Sequence, residues 1–398
     1  MNKAEAQRVI ESLRKGIPPD GFVRHFTVGR KSEVQELRKK LEIAKGDVLL
    51  IQANYGAGKS HLLQFVREQA LADSYAVSTV TLDSKGAVKF SRMDQMFAAI
   101  CRGIEIPYSL GTKGIRPFFN LLVRKAEDAK VVGGPGFWHQ LTRGWRWDYS
   151  ESLSSAAIFI SLRAWAVANP NTQDMIEDYL YQPWQYKYKG QQKKLYIELV
   201  EHQRNHFRDP RSEQQFYAHE TFMFHVQGYA QSWQALRDIN TLAVGAGLRG
   251  LVILFDEFED VVTNLTNIKQ QQEAFFNLFQ FYGTRFPGIS FYAVTPEFTS
   301  KCKNRLLMKN CWDYDLSRFD RLAKFEMSPL EESELEELAE RILKAHSIAY
   351  EWDPHHGMED LRLKEIVHKA ASLQTQDRAR HTIISVVKAL DDLLEQSE

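Results

Sequence analysis

Lys59 and Ser60 close a glycine-containing loop whose residue types suit the binding of phosphate groups. The loop belongs to the stretch VLLIQANYGAGKS at residues 48–60, which the apolar segment HLLQFV follows. A loop that leads into a helix N-terminus meets phosphate charge with backbone N–H groups and with the positive end of the helix dipole. Gly56 and Gly58 let the backbone approach the ligand. Lys59 supplies a positive charge for the outer phosphates, and the Ser60 hydroxyl supplies a ligand for Mg²⁺.

The loop departs from the usual phosphate-binding pattern at its first position. In the pattern Gly-x-x-x-x-Gly-Lys-Ser/Thr the opening glycine falls on Ala53, whose methyl group narrows the turn. We expect this departure to affect the rate at which a bound nucleotide is hydrolysed more than the binding of the nucleotide. The residues of the loop that we expect to contact the nucleotide are Asn54, Tyr55, Gly56, Ala57, Gly58, Lys59, Ser60 and His61.

Two acids follow a second apolar run, GLVILF at residues 250–255. Such a run predicts a buried central strand, with Asp256 and Glu257 at its carboxyl end. We predict that Asp256 holds Mg²⁺ through water and that Glu257 polarises the water that attacks the γ-phosphate. The next acids, Glu259 and Asp260, are expected at a helix N-terminus, outside the chemistry.

Four further residues are candidates for phosphate contact. Thr295 ends the strand ISFYAV and is predicted to face the same phosphates, with an ordinary strand-end threonine as the alternative. Arg318 and Arg321 precede a short strand, where an arginine can reach the site of an adjacent subunit; a surface or salt-bridged arginine is the alternative for each. Arg380 lies with Arg378 in the first turn of the last predicted helix, where the dipole disfavours a positive charge. Because local rules break at functional sites, we predict that Arg380 contacts the γ-phosphate, the alternative being a solvated or salt-bridged arginine.

The hydrophobic pattern predicts an α/β fold in which these residues meet at one edge of a parallel sheet. Asp256 follows Lys59 by 197 positions, more than a compact domain of alternating strands and helices needs. A helical insertion is therefore expected. The predicted units are an N-terminal helix (1–20), the first part of a P-loop domain (21–130), the insertion (131–245), the second part of the P-loop domain (246–328) and a C-terminal α-helical lid (329–398).

Periodicity also places the individual elements of this fold. It predicts helices at 4–15, 92–104, 117–129, 154–167, 173–180 and 196–206, and strands at 76–82, 289–296 and 324–327. A long helix over 213–244 brings the chain back to the sheet. Three helices make up the lid.

The charge of the chain points to no particular partner as a whole, but it is unevenly distributed. Lysine plus arginine and aspartate plus glutamate both number 51, which argues neither for nucleic acid nor for a membrane surface. Residues 1–134 carry 22 basic and 14 acidic side chains, whereas residues 329–398 carry 8 and 16. Solvated helix faces are the favoured interpretation. Head-to-tail contact in a homo-oligomer is the alternative.

The sequence shows no sign of export or of membrane insertion. Cys101, Cys302 and Cys311 are widely spaced and fit no metal pattern, which favours a reducing compartment. The N-terminus lacks the pattern of a signal peptide, and no apolar run approaches the roughly 20 residues that cross a bilayer. We expect a cytoplasmic protein without a membrane partner.

Two patches of the predicted insertion mix aromatic and basic residues, WHQLTRGWRW at 138–147 and WQYKYK at 184–189. Rings that stack on unpaired bases, together with Arg and Lys on phosphates, would give a DNA or RNA contact. Tryptophans that anchor a core or a protein interface are the favoured alternative.

His202 and His206 share a helix face but lack the glutamate of a zinc protease, so metal binding is disfavoured there. The sequence also lacks the Asn-Lys-x-Asp motif that reads guanine.

Taken together, VGR at 28–30, the phosphate-binding loop, Asp256-Glu257, Thr295, the arginines and the lid resemble the AAA+ P-loop ATPases of the initiator-like branch. The resemblance covers about 1–130 and 245–398, and implies that Gly29 and Arg30 flank the adenine of ATP. More narrowly, IESLRKGIPP at 10–19, TVGRK at 27–31 and NYGAGKSHLL at 54–63 resemble the BrxD-type ATP-binding proteins of BREX phage-defence systems. This resemblance implies an ATPase that works with a helicase or another DNA-acting partner.

The sequence thus predicts a Mg²⁺-dependent ATPase that acts as a nucleotide switch or loader in bacterial anti-phage defence. Lys59 and Asp256 bind MgATP in this prediction, Glu257 activates water and arginines complete the site. The alternative is a protein-binding module or scaffold that holds ATP as a conformational clamp and hydrolyses it negligibly. Direct DNA binding by the insertion is a third, weaker hypothesis.

Overall fold

A computed structural model describes residues 1–43, 46–82, 88–107, 109, 111–131, 153–166, 168–187, 229–259, 267–283, 285–311, 313–353, 360–374 and 377–397. Within these ranges a six-stranded sheet has the strand order β3-β2-β4-β5-β1-β6. The pairs are parallel except for β2 with β3, which is antiparallel. The strands are β1 (Asp47–Gln52), β2 (Ala76–Thr81), β3 (Ile104–Glu105), β4 (Leu251–Asp256), β5 (Ile289–Val294) and β6 (Lys324–Glu326).

The register of the sheet brings the predicted functional strands to a common edge. Gln52 at the end of β1 pairs with Val294 at the end of β5, and Asp256 at the end of β4 pairs with Thr81. Because β5 lies between β1 and β4, Thr295 follows it between the phosphate-binding loop and Asp256. The carboxyl ends of parallel strands are where ligands bind in open α/β sheets.

Helices cover both faces of the sheet and continue beyond its last strand. Their N-caps include several side chains that accept backbone hydrogen bonds, among them Asn2 and Asn267. The described helices are α1 (Lys3–Arg14), α2 (Lys31–Ile43), α3 (Lys59–Ala72), α4 (Met93–Gly103), α5 (Ile115–Val131), α6 (Ala156–Trp165), α7 (Pro170–Tyr181), α8 (Ala230–Gly245), α9 (Ile268–Tyr282), α10 (Phe298–Met308), α11 (Glu332–Tyr350), α12 (Asp360–Ala371) and α13 (Arg378–Ser397).

The described parts of the predicted insertion belong to the core of the sheet. Trp165 of α6, Tyr179 of α7 and Trp233 of α8 are buried in the same apolar cluster as the β2 and β4 side chains. Asp238 of α8 accepts hydrogen bonds from the backbone N–H groups of Ser154 and Ser155, at 3.0 and 2.6 Å, and so fixes the start of α6. These helices therefore cover one face of the sheet, while α2 and α3 pack on the other.

The last three helices form a separate apolar cluster, and the first helix of the chain is part of it. Val9, Ile10 and Leu13 of α1 are buried against the apolar faces of α11 and α13. This cluster of α1, α11, α12 and α13 contains the three helices predicted as a lid, and we refer to the four helices as the lid below. Both ends of the described chain meet in it.

The structure confirms the α/β class and the mostly parallel sheet, and most predicted elements lie within a few residues of their expected bounds. The helix predicted over 213–244 is described from Ala230 onward. Its earlier part and the helix predicted at 196–206 lie outside the described residues. The two-residue strand β3 and the helix α10 were not predicted. A helix was expected to begin at Glu259-Asp260, whereas α9 begins at Ile268 and residues 260–266 lie outside the described residues. None of the helices in the described ranges is both long and apolar enough to cross a membrane.

Candidate nucleotide-binding site

The loop between β1 and α3 has the backbone geometry of a phosphate cradle. Gly58 is the N-cap of α3 and has φ of +97°, and Gly56 has φ of +77°. Both values lie in the left-handed region, which glycine adopts at little cost. Since α3 begins at Lys59, the free N–H groups of its first turn lie where the loop ends.

Ala53 fits the loop at the position of the missing glycine. It is buried, it packs with the apolar cluster on the α3 side of the sheet, and its N–H donates to the Val294 carbonyl at 3.1 Å. The methyl group therefore extends the core without opening the turn. In the structure this departure from the pattern is accommodated by packing.

Lys59 is buried, with 9% of its surface exposed, and its ammonium is held by the loop. Nζ donates to the carbonyls of Ala53 at 2.9 Å and Asn54 at 3.2 Å, and it lies 4.8 Å from the centre of the Tyr55 ring. Burial lowers the pKa of Lys59, and the charges of nearby acids, Glu259 foremost, oppose that shift.

A cavity of about 340 Å³ opens in front of the loop. The polar residues on its wall include Arg30, Lys59, Ser60, His61, Asp256, Glu257, Glu259 and Arg380. The apolar residues come largely from α1, the segment after it and the lid, and include Leu13, Ile17, Pro18, Phe26, Val28, Leu338 and Ile383. A polar wall at the sheet edge thus faces an apolar wall formed by the lid helices. This division suits a ligand with a charged part and a flat apolar part.

The turn after β4 places three acids around the cavity. Asp256 Oδ1 accepts a hydrogen bond from the Glu257 N–H at 2.9 Å, and Glu257 is exposed with φ of +54°. Phe258 anchors the turn: its N–H donates to Ala293 O at 3.2 Å, and its ring packs edge-on against Tyr292. Glu259 is only 4% exposed, and its Oε1 lies 4.0 Å from Lys59 Nζ.

Glu259 itself lies in a turn on the cavity wall. The expected helix N-terminus at Glu259-Asp260 stays a prediction, because residues 260–266 lie outside the described residues. The left-handed backbone at Glu257 turns the chain so that Glu259 reaches the cavity wall. Asp260 lies outside the described residues.

Arg30 and Gly29 connect the loop to the start of the lid. Arg30 is 7% exposed, pairs with Glu33 at 3.1 Å and donates to the carbonyls of Ala57 at 3.3 Å and Ser328. Gly29 has φ of +60°, and a Cβ there would collide with the carboxylate of Glu334 in α11. Arg30 lines the cavity with its guanidinium committed to these contacts, whereas Gly29 lies against the lid.

His61 is held neutral at the back of the cavity. Thr27 Oγ1 donates to the Val23 carbonyl at 2.9 Å, so it accepts at 3.0 Å from His61 Nε2. Burial and the nearby Arg30 charge lower the pKa of His61 to about 4. At neutral pH this imidazole therefore adds no charge to the site.

Of the remaining predicted residues, Arg380 lines the cavity, whereas Thr295, Arg318 and Arg321 are not among its lining residues. Arg380 lines the cavity from the first turn of α13, close to Gly16 at the end of α1. Thr295 is 3% exposed, and its Oγ1 has no hydrogen-bond partner among the described residues. Arg318 and Arg321 lie away from the cavity: Arg318 covers the Phe279 ring at 4.1 Å, and Arg321 has its own ion pair.

A match to a family model covers the part of the chain that contains the loop. Residues 1–125 are similar to the BREX system ATP-binding proteins BrxC/D. The match spans α1, the segment lining the cavity and the whole phosphate-binding loop, and it ends before Asp256. Searches of curated proteins and of solved structures gave no match.

This match supports the predicted resemblance to BREX ATP-binding proteins over the first 125 residues, and with it ATP as the ligand. The donors of the cavity also fit Mg²⁺. This ion keeps several waters and takes one or two protein oxygens beside those of the phosphates, and Ser60 and Asp256 offer such oxygens on one wall. In the described part of the chain no three His, Cys, Asp or Glu side chains form a metal site. His202 and His206 lie outside it, as do residues 138–147.

Sequence reasoning missed several residues of this cavity. Glu259 follows Glu257 by two positions, and no sequence pattern placed it on the cavity wall. Ile17 and Pro18 follow the end of α1, which the sequence identified only as a helix stop. Met327 and Leu330 belong to the connection into the lid and carried no chemical signal.

Proposed function

We propose that this chain is a Mg²⁺-dependent ATPase with an AAA+-type P-loop domain and lid. In this proposal it acts as a nucleotide switch or loader in a BREX-like phage-defence system, together with a helicase or another DNA-acting partner. The observation that carries the proposal is the meeting of Lys59, Asp256 and Glu257 with the lid residue Arg380 around one cavity. The similarity of residues 1–125 to ATP-binding proteins supports it.

The loop and Lys59 would bind the phosphates of ATP. The N–H groups around Gly56 and Gly58 face the ligand at the start of α3, and Lys59 would exchange its loop carbonyls for outer phosphate oxygens. Ser60 and Asp256 would hold Mg²⁺, which when bound neutralises the charge that develops on the phosphates.

Glu257 is the candidate for activating water. It is exposed on the cavity wall, where its carboxylate can orient a water molecule and accept a proton as that water attacks the γ-phosphate. The buried hydroxyl of Thr295 lies at the end of the strand between β1 and β4. It can donate a hydrogen bond to the γ-phosphate or to the attacking water.

The lid would report the state of the nucleotide. Arg380 approaches the γ-phosphate from α13 in this proposal, while Leu13, Ile17 and Leu338 cover the adenine. Loss of the γ-phosphate would release Arg380 and, with it, the helices α1 and α11 to α13. Arg318 and Arg321, which lie away from this cavity, would serve the site of a neighbouring subunit in a homo-oligomer.

Phosphate release by the full chain tests this function. The parent is expected to release phosphate from MgATP, faster in the presence of DNA or its partner, and Glu257→Gln is expected to lower the rate by about a hundredfold or more. If Glu257→Gln hydrolyses ATP as fast as the parent, the assigned role is wrong.

A module that holds ATP without turnover is the second candidate. The exposed position of Glu257 in the turn after β4 favours it. This candidate predicts bound, unchanged ATP after incubation with Mg²⁺. Chromatography of the nucleotide extracted from the protein separates the two candidates.

A further inference from the structure

Glu259 balances the charge of Lys59 from within the protein. Its carboxylate is buried and lies 4.0 Å from Lys59 Nζ. The same ammonium directs donors at the carbonyls of Ala53 and Asn54. Two of the three ammonium donors of Lys59 therefore have carbonyl acceptors, while Glu259 at 4.0 Å acts through its charge, beyond hydrogen-bond distance. A phosphate that binds Lys59 thus approaches an ammonium whose charge a buried carboxylate already balances.

Glu259 differs in this respect from the other acids around the loop. Asp256 is half-buried, and Glu257 and Glu297 are exposed, so solvent weakens their interaction with Lys59. The buried carboxylate of Glu259 forms an ion pair with Lys59. Burial lowers the pKa of Lys59, and Glu259 opposes that effect more strongly than the other three acids do.

We propose that Glu259 is a positioning residue that competes with the outer phosphates of the nucleotide for Lys59. This inference rests on the proposed binding of ATP in the cavity. A phosphate that contacts Lys59 brings negative charge close to a buried carboxylate, and like charges at such separations repel strongly away from water. Glu259 therefore weakens the binding of nucleotides whose phosphates reach Lys59 and speeds their release.

The competition makes a prediction that depends on the number of phosphates. Glu259→Gln removes the charge and keeps the shape of the side chain. ATP affinity in EDTA is expected to rise about tenfold, and ADP affinity to rise less. AMP lacks the outer phosphates, so its affinity is expected to stay within about twofold of the parent value. A general disturbance of the cavity would change the affinities for all three nucleotides.

Isothermal titration calorimetry on the full chain, with ATP, ADP and AMP in EDTA and then in Mg²⁺, measures these affinities. Glu297→Gln is the matched control, because it removes an exposed acid that has the weakest influence on Lys59 of the four. Its ATP affinity is expected to remain within about twofold of the parent. Glu259→Ala removes the same buried charge as Glu259→Gln and carries the same expectation, which guards against a folding defect in one variant.

Three results would overturn the inference. The first is an unchanged or weaker affinity of Glu259→Gln for metal-free ATP while the parent binds it. The second is a loss of ATP affinity by Glu259→Gln that is seen in the presence of Mg²⁺ and not in EDTA, which would make Glu259 a metal ligand. The third is a parent chain that binds none of the nucleotides, which would refute the proposed function and this inference with it.

Discussion

Asp391 of α13 accepts two hydrogen bonds from Arg14 of α1, each at 2.9 Å, and so joins the first helix of the chain to the last. The same carboxylate accepts from His346 Nε2 at 3.0 Å, and Trp352 donates to the other ring nitrogen at 2.9 Å. The Arg14 guanidinium and His346 hold the pKa of Asp391 below its usual value, against the opposing effect of burial. One carboxylate therefore links α1, α11 and α13 by hydrogen bonds.

The first prediction concerns this carboxylate. Asp391→Ala leaves the buried N–H of His346 and the Arg14 guanidinium without their acceptor, and we expect the free energy of unfolding to fall by about 2–3 kcal/mol. Urea denaturation measures this change. Glu395→Ala, an exposed acid on the same helix, is the control and should alter stability by about 0.5 kcal/mol at most. Equal effects of the two substitutions would refute the account of the lid.

The second prediction uses the backbone of the loop. Gly58→Ala places a Cβ at φ of +97°, which is expected to cost about 1–2 kcal/mol of stability and to lower ATP affinity, because the N–H groups of the cradle shift. Gly247→Ala is matched to it, since Gly247 has φ of +86° and open space around it, away from the cavity. We expect a similar thermal destabilisation from both variants. A loss of ATP affinity in Gly247→Ala as large as in Gly58→Ala would contradict the assignment of the loop.

The third prediction separates two neighbouring arginines. Arg380 lines the cavity, whereas Arg378 donates to the Leu373 carbonyl at 3.2 Å. Arg380→Ala is expected to lower ATP affinity by about tenfold and ADP affinity much less, because the proposed contact is with the γ-phosphate. Arg378→Ala should preserve the ratio of the two affinities. Competition with a fluorescent nucleotide measures both, and an equal loss of ATP and ADP binding in Arg380→Ala would argue against a γ-phosphate contact.

The fourth prediction concerns pH. The pKa of His61 is lowered to about 4 in the folded protein, so between about pH 6.5 and 4 the unfolded chain binds a proton that the folded chain does not. The neutral, buried His61 therefore contributes fully to the free energy of unfolding above about pH 6.5. This contribution is lost as the pH falls from about 6.5 to about 4. His61→Gln should therefore lose less stability than the parent between pH 7 and pH 5 in urea denaturation. The control His25→Gln replaces an exposed histidine and should follow the parent.

The parts of the site that sequence reasoning could predict are those encoded locally. The loop before Lys59 and the acids after β4 carry their chemistry in residue types at fixed spacing, and the register of parallel strands brings them together. The position of Glu259 on the cavity wall was not predicted, because it depends on the left-handed turn at Glu257 and on the aromatic packing that holds Phe258. Neither feature has a sequence signal of its own.

The lid shows the same limit at longer range. The spacing of apolar residues predicted that α1 has one apolar face, but it did not indicate which helices that face packs against. Arg14 and Asp391 are 377 positions apart, and each alone looks like an ordinary helix surface charge. The strand β3 has two residues, too few to show a period. The packing of α1 on the last helices and the presence of β3 therefore depend on the three-dimensional fold, which the periodicity of the sequence does not determine.

ATP binding by Lys59→Met is the most direct test of the central claim, that the cavity binds ATP through its phosphates. Calorimetry of the full parent chain in Mg²⁺ is expected to show one ATP site, and Lys59→Met is expected to weaken that site by at least about tenfold, because the charge facing the outer phosphates is lost. Thermal unfolding of both proteins establishes that they are folded. A parent chain that binds no ATP, or a folded Lys59→Met variant that binds it as tightly as the parent, would contradict the account.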